Sequence, residues 1–96
     1  MNEQECLIAI ASGESARDIL IEKIPGIEKK WNRLCSQMKK FLFDVNEVFP
    51  DANYYTASGG FNLLLGASHS DGHDQRPQQE LLALGSSGVV VGDGDW

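Results

Sequence analysis

Eight apolar side chains, Ile24, Ile27, Trp31, Leu34, Met38, Phe41, Val45 and Val48, follow one another at spacings of 3, 4, 3, 4, 3, 4 and 3 residues. An α-helix turns once in about 3.6 residues, so this alternation keeps them all on one face. A strand alternates faces at every residue and cannot gather them. The residues between them are mostly polar up to Lys40: Glu28, Lys29, Lys30, Asn32, Arg33, Ser36, Gln37 and Lys39. The spacing predicts a helix over Ile27 to Val48. Pro25 and Gly26 separate it from what precedes, and Pro50 ends it before the turn Asp51-Ala52-Asn53. Cys35, Leu42 and Phe43 widen the apolar face toward its C-terminal half. That width suits a globular core better than a narrow two-stranded seam, and Trp31 and Phe41 are bulky for such a seam. The stripe Ile27, Trp31, Leu34, Met38, Phe41, Val45 and Val48 is expected to pack on the chain's own sheet, with a surface shared between two copies as the alternative.

Two shorter helices are expected ahead of it. Asn2 is placed to cap the first, which Gly13 ends. Ser15 and Asp18 have the spacing of a capping box, with aspartate in the usual glutamate position, before Ile19, Leu20, Ile21 and Ile24. After Asn53 the texture changes to glycines, β-branched residues and aromatics. Tyr54 to Ala57, the turn Ser58-Gly59-Gly60, and Phe61 to Leu65 read as a β-hairpin. Gly66 to Pro77 is polar and rich in turn formers and reads as an exposed loop. Gln79 to Leu84, Gly85-Ser86-Ser87-Gly88 and Val89 to Val91 read as a second hairpin. The expected fold is α+β, one domain over residues 1–96. A helical half (1–49) packs through its long amphipathic helix on an antiparallel sheet of two hairpins (53–96).

The chain has 96 residues and a net charge of −6, unevenly spread. Residues 1–49 hold seven basic and eight acidic side chains, whereas residues 50–96 hold Arg76 alone against six acidic ones. An acidic half of this kind disfavours nucleic acid and anionic membrane as partners. No apolar run approaches the ~20 residues of a membrane span. Cys6 and Cys35 lie far apart and outside any C-x-x-C pair, and nothing at the start resembles a signal peptide, so a reducing cytoplasm is the expected compartment.

Candidate chemistry is sparse. His69 and His73 are four apart with Asp71 and Asp74 nearby, but the segment is turn-like, and two histidines on a loop do not preorganise a metal site. No nucleophile accompanies them for acid–base or covalent catalysis. Gly59-Gly60 and Gly85 to Gly88 precede no helix and lack the lysine of a phosphate loop. Asp93 and Asp95 supply only the first positions of a calcium loop. Trp96 beside them is expected to pack back onto the sheet; the alternative is that Trp96 with Asp93 and Asp95 forms a partner contact, because tryptophan anchors interfaces. Lys29, Lys30, Arg33, Lys39 and Lys40 form a basic helix face that would track phosphates if the protein bound nucleic acid. They lie off the stripe, where solvated charges are expected in any case, and the aromatic Trp31 lies within it. No cofactor and no catalytic residue is expected.

Asn53-Tyr54-Tyr55-Thr56-Ala57-Ser58-Gly59-Gly60, Phe61 to Gly66 and Gly92-Asp93-Gly94-Asp95-Trp96 resemble small uncharacterised accessory proteins of enterobacterial lambdoid phages and prophages. The resemblance covers at most the second half of the chain and carries over no catalytic or binding residue. It implies a setting in which a protein of this size binds and modulates a host protein. The expectation is a non-catalytic interaction protein with a protein partner, the nucleic-acid-associated regulator being the alternative.

Overall fold

The computed structural model describes residues 1–57 and 59–92. It has three α-helices followed by a three-stranded antiparallel sheet, an α+β chain. The helices are α1 (Glu3–Ala11), α2 (Ala16–Lys23) and α3 (Ile27–Asn46), and the strands are β1 (Asn53–Ala57), β2 (Gly60–Leu64) and β3 (Leu82–Gly85), the last preceded by a 3₁₀ turn at Gln79–Leu81. By its internal contacts the chain divides into two compact units, Met1–Lys39 and Lys40–Trp96.

In the first unit local chemistry sets each boundary. Asn2 Oδ1 accepts from the Glu5 amide at 2.9 Å, and Glu5 Oε1 accepts in return from the Asn2 amide at 3.5 Å, a full capping box. Ser15 Oγ accepts from the Asp18 amide at 3.1 Å and starts α2. α2 stops at Ile24 because Pro25 follows. Gly26 takes φ +84°, a left-handed turn that a side chain would resist, and α3 starts at the next residue. Arg17 of α2 reaches Glu28 of α3 in a two-pronged ion pair, with Nη2 2.7 Å from Oε2 and Nε 3.1 Å from Oε1. This hydrogen-bonded pair raises the already high pKa of Arg17. α1 and α2 pack against each other, and Ile19 is the buried side chain of α2.

In the second unit α3 ends two residues short of Val48, and the Val48 and Phe49 amides donate back to the Val45 carbonyl. Asn46 Nδ2 donates to the carbonyls of Phe49 and Ala52, each at 3.0 Å, which folds the turn under buried Ala52. β1 and β2 form a hairpin through Gly59, whose φ is +77°. Asn53 pairs with Leu64 and Ala57 with Gly60.

The second hairpin does not form among the described residues, and a four-stranded sheet is replaced by three strands. β3 takes the open edge of β2, pairing Asn62 with Gly85 and Leu63 with Leu84 before a bulge brings Leu64 to Leu82. The chain then continues along that edge. Ser86 donates its amide to the Phe61 carbonyl at 2.9 Å, and the Val91 amide reaches the Gly59 carbonyl at 2.8 Å. The chain does bend at Ser87-Gly88, where Gly88 takes φ +73°, but Val89 to Val91 does not fold back on β3: the Val91 amide goes to β2's side of the sheet, where amides and carbonyls are open to pairing. Leu63 and Leu64, on opposite faces of the central strand, are both buried.

Candidate functional site

Two surfaces collect the side chains singled out by sequence. The first is α3. Among the described residues this helix buries none of its side chains. Trp31 is 66% exposed, Leu34 56% and Phe41 46%; Met38 and Val48 are exposed too, while Ile27 and Val45 are half-buried. An exposed tryptophan, leucine and phenylalanine aligned on one helix face form a contiguous apolar patch of the kind that marks interaction sites. Lys29, Arg33 and Lys40, spaced four and seven apart, lie on the opposite face, and all five basic candidates are exposed. Lys40 Nζ pairs with Asp44 Oδ2 at 3.4 Å, so the C-terminal end of this basic face is offset by an acid of its own helix. No helix of the described residues is long and apolar enough to cross a membrane.

The second surface lies on the sheet. Strand alternation and pairing bring Tyr55, Ala57, Asn62, Leu64 and Leu82 to one face. The loop after β2 borders this face and makes an open groove of about 480 Å³, with Ser68, His69, Pro77, Gln78 and Gln79 along its rim. Gln78 closes the loop: its amide donates to the Ser68 carbonyl at 2.8 Å and its Nε2 to the Ala67 carbonyl at 2.7 Å. His69 bridges to Pro77, and Arg76 donates its amide to Ser70 Oγ at 2.9 Å. The His69 ring stands edge-on to Tyr55 with centroids 6.5 Å apart, and its Nδ1 lies 3.1 Å from Ser68 Oγ.

The histidine pair is thus split in role. His69 belongs to the groove, while His73 sits in the exposed loop tip. Among the described residues no group of three or more histidine, cysteine or acidic side chains converges as a metal site would need. Cys6 and Cys35 are free thiols. Asp93, Asp95 and Trp96, the candidate partner contact, lie outside the described residues. Sequence reasoning missed the groove. The period-two alternation of Tyr55 with Ala57 and of Asn62 with Leu64 was the available signal for its floor, and nothing local signals the rim.

Comparisons with protein-family models, with curated proteins and with solved structures find no match to this chain.

Proposed function

We propose that this is a non-catalytic interaction protein that acts by offering the apolar stripe of α3 to another protein. The observation that carries this reading is the exposure of Trp31, Leu34 and Phe41 on one face of a 20-residue helix. Leaving such side chains in water forgoes about 1.5–3 kcal/mol apiece, which a fitting surface recovers. Because no core of the described residues takes up Trp31 and Phe41, the alternation of three and four residues leaves a second helix as the fitting surface, packed at the shallow crossing angle of left-handed helix pairs with the axes spaced widely enough for the two rings. The setting we propose is that of a phage accessory protein modulating a host protein, on the resemblance of the β-rich half.

Chemical cross-linking in cell extract tests the reading, because Lys29, Lys30, Lys39 and Lys40 lie along the same helix as the stripe. The wild-type chain should give cross-links from these lysines to a protein surface, and Leu34→Asp should abolish them. Leu34 is exposed, so that substitution leaves the fold intact while placing a charge where the partner must be dry. Cross-links that persist unchanged in Leu34→Asp would refute the reading.

A further inference from the structure

We infer that the stripe of α3 is covered by α3 of a second copy of this chain, running antiparallel. The inference rests on the reading of the stripe as a protein-binding face and names its occupant.

Within α3 the stripe Ile27, Trp31, Leu34, Met38, Phe41 and Val45 has spacings of 4, 3, 4, 3 and 4, which read the same in both directions, so it is symmetric about Ser36. An antiparallel copy with its own Ser36 opposite the first sets Trp31 against Phe41 of the second copy and Ile27 against Val45, each pair twice by the two-fold symmetry. Each of the six stripe positions of α3 then meets an apolar position of the second copy along the ~30 Å of the helix.

The flanking charges select the direction. Lys30 precedes Trp31 by one residue and Asp44 precedes Val45 by one, so both border the same side of the seam. The antiparallel register brings Lys30 beside Asp44 of the second copy, again twice. Asp44 pairs with Lys40 of its own helix through Oδ2, and its exposed carboxylate has a second oxygen with which to meet another cation. A parallel, in-register pair would stack Trp31 on Trp31 and put Lys30 beside Cys35 of the second copy, a cation with no anion. Cys35 borders the other side of the seam, where the antiparallel register brings it opposite Cys35 of the second copy. In the parallel pair those two thiols fall on opposite flanks.

Light scattering on a size-exclusion column, with the full chain over a range of concentrations, reads the mass. A Cys6→Ser chain treated with a short bismaleimide reads the register through Cys35 alone. The expected result is a dimer that dissociates on dilution, that joins through Cys35, and that Leu34→Asp weakens about tenfold or more. Lys30→Glu should weaken it about threefold, and Lys30→Glu with Asp44→Lys should recover the loss. A monomer at every concentration overturns the inference, and a dimer that does not join through Cys35 overturns the antiparallel register. If the chain is monomeric while stripe-dependent cross-links to a different protein persist in extract, the occupant is wrong and the interaction reading stands. If those are lost as well, both fall.

Discussion

Single side chains settle much of the local structure, and the clearest electrostatic consequence falls on Tyr54. Its ring is half-buried and stands edge-on to Phe61, with centroids 6.4 Å apart. Burial disfavours the phenolate and raises the Tyr54 pKa above its ordinary value of 10.0. In the unfolded chain the same phenol loses its proton first. The stability it contributes is therefore fully present below pH 10 and is lost as the pH rises through the folded pKa. Tyr54→Phe keeps the edge-on contact and removes the titrating group. The test is the alkaline limb of the stability curve, read by thermal melts of the two chains over a series of pH values. The variant should lose stability less steeply as the pH is raised beyond 10. An identical loss of stability with rising alkaline pH in the two chains would contradict the burial argument. At this scale the helix starts were legible in the sequence. Asn2 and Ser15 were expected as caps, and each accepts the amide three residues on. Capping depends on a side chain and a backbone group within one turn, so sequence distance and spatial distance coincide.

At the scale of elements that coincidence fails, and β3 shows why. The bend at Ser87-Gly88 lies where local composition put a turn, but the strand ahead of it pairs with the edge of β2, some twenty residues earlier in the chain, and not with Val89 to Val91. Turn propensity is a local preference, and strand pairing is decided by which edges remain open once the hairpin has formed. The groove was hidden for the same reason. Its rim is held by Gln78 bonding back to Ala67 and Ser68, a closure that no hydrophobic period announces. The edge pairing makes its own demand on Gly60. A β-carbon there would come within 2.7 Å of Ser86 Oγ. That oxygen accepts from the Phe61 amide at 3.2 Å and donates to the Val89 carbonyl at 3.0 Å, so it is not free to swing aside. Gly60→Ala should cost about 1–2 kcal/mol of stability by thermal melt, the range of overpacking in a fitted site. Ser86→Gly should relieve the clash, so the double variant should lose clearly less than the two single losses combined. Strict additivity would mean that Ser86 does not hold the segment after β3 against Gly60.

Over the whole chain, few side chains of the described residues are buried. The hydrophobic ones among them are Ile19, Ala52, Leu63 and Leu64, and none of these belongs to α3. A 20-residue helix in water is marginal on propensity alone, and most helical stability in proteins comes from packing an apolar face. The period of the stripe was legible because it depends only on spacing within one helix, while the surface that completes it lies outside the helix and leaves no trace in that spacing. If the missing packing comes from a second copy, folding and association are one equilibrium, and stability must depend on protein concentration. Raising the concentration a hundredfold should then lift the Tm by about 5 °C, on the usual entropy of unfolding per residue. Leu34→Asp should flatten this dependence, because a carboxylate in the seam opposes association while costing an exposed position little in the isolated chain. Two melting series, wild type and Leu34→Asp at matched concentrations, measure it. A wild-type Tm that does not move with concentration would mean that α3 holds its helix without help from another copy.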